Sequence, residues 1–92
     1  METQRAKFSL GQMYMTPGAM DALFPEDILT ALRQHSQGDW GICGKEDREA
    51  NEQALIDGSR IFSVYKDHYG VKFWIITEAD RASTTVLLPS EY

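Results

Sequence analysis

The stretch RIFSVYKDHYGVKFWIITEADRASTTVLL, residues 60–88, decides the fold of this 92-residue chain. It contains three runs, RIFSVYK, VKFWIIT and TTVLL, in which β-branched and aromatic residues dominate. The glycine of DHYG suits a short hairpin, and the polar residues after VKFWIIT suit a second turn. The stretch therefore predicts an antiparallel meander. Because FWII is apolar on both strand faces, we expect the middle strand inside the sheet, with helices on one face and aromatics or a partner on the other.

The residues before this stretch predict one strand and two or three helices. FSLGQMYM, residues 8–15, alternates as an edge strand does. Thr16 and Pro17 then suit a helix start, and Pro25 begins a second helix that Gly38 ends. KEDREANEQALIDG, residues 45–58, is rich in strong helix formers and predicts a third helix. We expect one α+β domain over residues 1–92, with the helices on one face of the three-stranded meander and residues 1–7 disordered.

Composition favours a soluble globular domain that meets partners on its outside. With 42% apolar and 25% charged residues the chain can form one core, which leaves little room for an enclosed ligand cavity. The net charge of −5, with nine scattered Lys and Arg residues, argues against direct nucleic-acid binding. No apolar run approaches the ~18 residues of a membrane span. A lone cysteine and the lack of a secretory signal predict a cytoplasmic location.

The polar segment TEADRASTT, residues 77–85, has two interpretations. Glu78, Asp80 and Arg81 have the side chains of a general acid, a general base and an anion-binding group. The same residues suit a turn between two strands, because Asp and Ser hydrogen-bond their own backbone and an Asp–Arg pair can brace a loop. The turn interpretation is favoured, since catalysis also needs a water-excluding pocket.

The sequence predicts no metal site and no cofactor. His35 and His68 are 33 residues apart, and Cys43 and Asp39 add no pair with metal-ligand spacing. A Cys43–His35 nucleophile pair is also disfavoured, because a lone cysteine is usually a small buried hydrophobic residue.

Two features suggest a surface for protein binding. In GDWG, residues 38–41, Trp40 is either an exposed aromatic anchor or a core residue reached from a loop. The core is favoured, because so small a domain needs its large apolar side chains inside. The third helix carries an acidic face that suits a basic partner surface or is simply solvated. The predicted binding residues are Asp39, Trp40, Glu46, Asp47, Glu49, Glu52, Glu78, Asp80 and Arg81.

Three segments carry a resemblance to a known family: GDWG, then NEQALxDGSRIxSxY from Asn51 to Tyr65, then WIITEADRxSTTxLLPxEY from Trp74 to Tyr92. Over residues 8–92 the chain resembles a family of small bacterial proteins found on plasmids, phages and other mobile elements. Some members are labelled as a type I restriction endonuclease subunit. That label does not fit, because this chain lacks the glycine-rich cofactor loop and the Asn-Pro-Pro-aromatic motif of an adenine methyltransferase. The resemblance implies a bacterial mobile-element setting and brings no catalytic residue with it.

Two functional hypotheses follow. The first is a small acidic, non-enzymatic domain that binds a protein partner, with inhibition of a host-defence component as one form of that binding. The alternative is a small enzyme or ligand-binding domain that uses Asp39, Glu78, Asp80 and Arg81. It requires these side chains to converge around a cleft. The identity of the partner and the oligomeric state are not encoded in any pattern of the sequence.

Overall fold

The computed structural model describes residues 6–92, which form an α+β fold as the sequence predicts. Within these residues the strands are β1 (Gln12–Met15), β2 (Ile61–Lys66), β3 (Lys72–Thr77) and β4 (Ser83–Leu87). The helices are α1 (Pro17–Ala22), α2 (Pro25–Ser36) and α3 (Lys45–Asp57), and a 3-10 helix spans Pro89–Glu91. The disorder expected for residues 1–7 falls mostly on residues 1–5, outside the described residues. Lys7 is described, and its amide donates to the carbonyl of Ser36 at 2.6 Å.

The sheet contains the predicted meander and one further pairing. Its strand order is β1-β4-β3-β2, with β2–β3 and β3–β4 antiparallel, so the apolar strand β3 lies inside the sheet as predicted. The predicted three-stranded antiparallel sheet is nevertheless a four-stranded mixed sheet, because β1 pairs with β4 in parallel. A parallel neighbour requires a long crossover, and the three helices between β1 and β2 provide it.

The helix starts and stops lie where the sequence predicts them. The hydroxyl of Thr16 accepts a hydrogen bond from the amide of Ala19, and Pro17 occupies the first turn of α1. Pro25 begins α2. Gly58 ends α3 in the left-handed conformation, with φ at 79°. None of the helices in residues 6–92 is both long and apolar enough to cross a membrane.

The core lies mainly between the sheet and the first two helices. Alternate residues of the strands point to this face, where they pack against one apolar stripe of α1 and α2. The buried members of this cluster are Ala19, Leu23, Ile28, Ala31, Tyr65, Phe73, Ile75 and Val86.

The prediction that all helices lie on one face of the sheet is wrong for α3. α3 lies beside the outer edge of β2, where its buried Asn51 exchanges two hydrogen bonds with the backbone of Phe62. On the face of the sheet opposite α1 and α2, the ring of Trp74 contacts those of Phe62 and Tyr92, with centroid distances of 5.0 and 5.5 Å. Aromatic side chains therefore cover part of that face, as the two-sided apolar pattern of FWII predicts.

Candidate functional site

The polar cluster after β3 forms a braced turn. The guanidinium of Arg81 donates to the carbonyl oxygens of Ser59 and Glu78, at 2.6 and 3.2 Å, and to that of Ala54 in the last turns of α3 at 2.9 Å. Asp80 accepts a hydrogen bond from the amide of Ala82 at 2.9 Å. These hydrogen bonds hold the β3–β4 connection against the end of α3. The guanidinium of Arg81 is therefore already hydrogen-bonded to backbone oxygens. The turn interpretation accounts for both side chains.

Glu78 and Asp39 lie in separate local arrangements. Glu78 pairs with Arg60 at 3.3 Å, and both side chains are about half exposed. The carboxylate of Asp39 instead accepts hydrogen bonds from the Gln34 side chain and the Gly41 amide. Among residues 6–92 no hydrogen bond or ion pair joins Asp39 to the turn that contains Arg81. The four residues of the enzyme hypothesis are therefore not brought into one hydrogen-bonded site.

Trp40 is a core residue. Only 5% of it is exposed, and it packs with Cys43, Ala54, Ile61 and Val64 in the cluster beneath α3. Its indole N–H donates to the Glu52 carboxylate at 2.7 Å, which satisfies its one polar group. The sequence favoured the core over an exposed anchor but kept Trp40 among the predicted binding residues, and the structure places the ring in the core.

The predicted acidic face of α3 is divided between two sides of the helix. Glu49 and Glu52 line a cleft of about 640 Å³ together with Asp39, but Lys45 and Arg48 line it as well. Asp47 instead lies near the aromatic residues on the open face of the sheet, in a hollow of about 290 Å³. Glu46 is exposed. The cleft therefore carries three acidic and two basic residues and is not strongly acidic.

His35 is fully buried and hydrogen-bonded at both ring nitrogens. Its Nδ1 lies 2.6 Å from the hydroxyl of Ser63 and its Nε2 lies 2.9 Å from that of Thr77. Thr77 contacts the hydroxyl of Thr84, which donates to the carbonyl of Leu10. Because a carbonyl only accepts, the Thr84 hydroxyl uses its proton on Leu10, and the Thr77 hydroxyl must donate to Thr84. The Thr77 oxygen therefore accepts from the His35 ring, which assigns the imidazole proton to Nε2. Burial, with a smaller effect of nearby Arg81, lowers the pKa of His35 to about 3, so the ring is neutral.

Cys43 and His35 do not form a nucleophile pair. The Cys43 thiol donates to the carbonyl of Phe62, and burial raises the pKa of this thiol, which keeps it protonated. Both ring nitrogens of His35 already have other partners. No group of three His, Cys, Asp or Glu residues in the described part of the chain is arranged to hold a metal ion.

An apolar groove between β1 and the first two helices has no counterpart among the predicted binding residues. We call it the methionine groove; it has a volume of about 470 Å³ and is lined by Met13, Met15, Met20, Leu23, Pro25, Ile28, Leu29 and Leu32. Leu23 and Ile28 form its buried floor, whereas 65% of Met20 and 61% of Leu29 are exposed. A sequence signal did exist: three of the four methionines fall within residues 13–20.

The two edges of the sheet differ in how they are covered. At the β2 edge, the Asn51 side chain hydrogen-bonds the backbone of Phe62. The loop before α3 hydrogen-bonds the backbone of Val64. The Val64 amide donates to the carbonyl of Trp40 at 3.3 Å, and the amide of Ile42 donates to the carbonyl of Val64 at 2.7 Å. The β2 edge is therefore closed at both residues.

The β1 edge is open within the described residues. The amide of Gln12 donates to the carbonyl of Ala82, just before β4, and the amide of Thr16 donates to that of Val86 in β4. By alternation, the backbone groups of Met13 and Met15 therefore point away from the sheet. No residue between 6 and 92 pairs with that side of β1. All four residues of the strand are exposed.

Comparisons with known proteins assign no family to this chain. A scan against protein-family models finds no match, and searches of curated proteins and of solved structures also find none. The resemblance to plasmid and phage proteins therefore stays a prediction.

Proposed function

We propose that this chain is a non-enzymatic protein-binding domain and that the methionine groove is its docking surface. The observation that supports this proposal is the groove itself, whose eight lining residues are all apolar and whose rim is exposed. Contiguous exposed apolar surface on a soluble domain marks an interaction site, because leaving it in water is unfavourable. A partner that covers it gains about 25 cal/mol for each Å² of apolar surface removed from water.

The composition of the groove suits a protein ligand. Met13, Met15 and Met20 are unbranched and adapt their shape to a partner, which is typical of surfaces that bind apolar segments. The floor, Leu23 and Ile28, is already packed in the core and gives these side chains a fixed base. A partner is therefore expected to insert apolar side chains between α2 and β1.

The proposed class of partner comes from the sequence resemblance. The resemblance to small plasmid and phage proteins makes a protein of the bacterial host the proposed partner, with a component of host defence as the proposed target of inhibition. α3 flanks the opposite edge of the sheet from β1. The net charge of −5 favours approach to a basic partner.

The enzyme or ligand-binding alternative has less support. It depends on Arg81 as an anion-binding group, but this guanidinium donates to four backbone carbonyls. Two of them, Ala54 and Ser59, lie at the end of α3, and the other two, Glu78 and Ala79, lie in the same turn as Arg81. Binding an anion there would require Arg81 to give up these charge-assisted hydrogen bonds.

Site-specific crosslinking in bacterial cells tests the proposal. A photoreactive phenylalanine analogue at Leu29 or at Met20 is expected to capture the same protein. The matched control is the same analogue at Ile56, an exposed apolar residue of α3 outside the groove. The captured protein, once purified, should bind the wild-type chain and lose binding to Leu29→Asp. Equal capture from Ile56, or unchanged binding to Leu29→Asp, would contradict the proposal.

A further inference from the structure

We infer that two copies of this chain pair edge to edge through β1, antiparallel and about a two-fold axis at Tyr14. The inference rests on the proposed function, because the pairing joins two methionine grooves into one docking surface. The partner at this edge is thus a second copy of the chain, and the host protein binds next to the seam.

The backbone of β1 is self-complementary about Tyr14. The N–H and C=O groups of Met13 and Met15 point to the open side of β1, whereas the N–H and C=O groups of Tyr14 point toward β4. In an antiparallel pair centred on Tyr14, Met13 of one copy lies opposite Met15 of the other, and each pair exchanges two hydrogen bonds. Every outward backbone group of both residues is then satisfied.

The distribution of charge identifies this edge as a place where two acidic chains can meet. Each copy carries a net charge of −5, which opposes association over most of its surface. Residues 8–20 contain no charged residue, and this is the longest uncharged stretch of the chain. Exposed edge strands usually carry a proline or a charged residue, often lysine, that prevents pairing with another strand. β1 contains neither.

The pairing extends the methionine groove. Met15 pairs in register with Val86, which belongs to the core beneath α1 and α2, so Met13 and Met15 lie on the helix-covered face. A two-fold axis perpendicular to the sheet keeps both copies' helices on that face. Met13 and Met15 of the two copies then meet across the seam, and the two grooves share this wall.

The closed β2 edge limits the assembly to two copies. Asn51 and the loop before α3 occupy the backbone groups of Phe62 and Val64, so no further strand can add there. Pairing of the open edges is isologous and uses the same strand twice, which completes the dimer. The resulting sheet has eight strands from residues 6–92 of two chains.

Sedimentation equilibrium of the purified protein tests the inference. The wild-type chain is expected to sediment with the mass of two chains. Tyr14→Lys should sediment as one chain, because two lysines would face each other across the axis. Tyr14 is 54% exposed, so the substitution leaves the core intact. The matched control is Tyr69→Lys at an exposed hairpin residue, which should remain a dimer.

A cysteine at the axis gives an independent readout. Residues that face each other without exchanging hydrogen bonds have Cα atoms about 4.5 Å apart, within the range that a disulfide spans. Oxidised Tyr14→Cys should therefore form a covalent dimer. Met13→Cys should not, because Met13 lies opposite Met15 of the other copy. The buried Cys43 is present in both variants and in the wild-type control.

The results separate this inference from the proposed function. Leu29→Asp should stay dimeric while it loses the host protein. A wild-type chain that sediments as one chain even at millimolar concentration would overturn the pairing, and crosslinking from Leu29 and Met20 would still report on the groove. A dimer that survives Tyr14→Lys and gives no Tyr14→Cys disulfide would also overturn it, because that dimer would use another face.

Discussion

The Nε2 atom of His35 lies 2.9 Å from the hydroxyl oxygen of Thr77, and both side chains are fully buried. This contact joins α2 to β3, and the hydroxyl chain that continues from it reaches Leu10, just before β1. A neutral imidazole is therefore part of what holds the N-terminal segment to the sheet.

The first prediction concerns pH. The folded chain holds His35 neutral down to a pKa of about 3, whereas the ordinary histidine pKa is 6.5. Between these values the unfolded chain binds one more proton, so the free energy of unfolding falls as the pH falls, by about 1.4 kcal/mol per pH unit. Urea unfolding at pH values from 6.5 down to 5 measures this slope.

Two histidine variants serve as controls for the pH prediction. His35→Gln should lower stability at neutral pH and remove the His35 contribution to the slope, whereas His68→Asn should retain it. Hydrogen bonds lower the pKa values of the Asp27, Asp57 and Glu91 carboxyl groups, and the stability they contribute is lost only at more acidic pH. Stability that does not change between pH 6.5 and 5 would contradict the prediction.

Asn51 should be important for stability although it is polar. Its side-chain amide donates to the carbonyl of Phe62 at 2.6 Å and accepts from its amide at 3.0 Å. Asn51→Ala leaves the Phe62 amide without a partner and its carbonyl with only the weak Cys43 thiol donor. The free energy of unfolding should therefore fall by about 1–3 kcal/mol in urea titrations. Asn51→Asp, which has the same size but places an acceptor against the carbonyl, should also be destabilised. Exposed Gln53→Ala should change little, and equal effects at both positions would refute the role of Asn51.

Arg81 should affect stability through both its side chain and its backbone. Arg81→Ala removes the hydrogen bonds to Ala54 and Ser59 and should lower the free energy of unfolding by about 2–3 kcal/mol. The residue has a φ of 59°, in the left-handed region that glycine tolerates best. Arg81→Gly should therefore be more stable than Arg81→Ala by about 1 kcal/mol. Thermal unfolding of the two variants measures the difference, and an alanine variant that is the more stable of the two would contradict it.

Gly41 should not tolerate any side chain. A Cβ atom there would lie 2.0 Å from the carbonyl oxygen of Val64 and 2.7 Å from the ring of Tyr65, at a φ of 73°. Gly41→Ala should therefore cost more than about 3 kcal/mol of stability. Gly70→Ala is the matched control, since Gly70 has a φ of 84° but no atom within 4 Å of such a Cβ. It should cost about 1 kcal/mol from backbone strain alone, and similar losses at the two sites would rule out the clash.

Candidate-site residues were harder to predict than secondary structure. The polar composition of residues 77–85 correctly favoured a turn, because Asp80 bonds its own loop and this interaction is local. The environment of Trp40 could not be derived in the same way, since its neighbours Ala54, Ile61 and Val64 are distant in sequence. The methionine groove was missed for a related reason: its walls come from β1, α1 and α2, and the methionines clustered in residues 13–20 do not by themselves show that they form one surface with α2.

The sequence by itself determined the order and type of the elements, the meander of β2, β3 and β4, and the interior position of β3. Periodicity, turn residues and helix caps are local properties, and they act between residues that are close along the chain. Only the tertiary structure decided that β1 pairs in parallel with β4, that Asn51 closes one edge of the sheet, and that the opposite edge stays open, within residues 6–92, beside an apolar groove. Those outcomes depend on which distant surfaces pack together, and the free energy of that packing is not contained in any single segment.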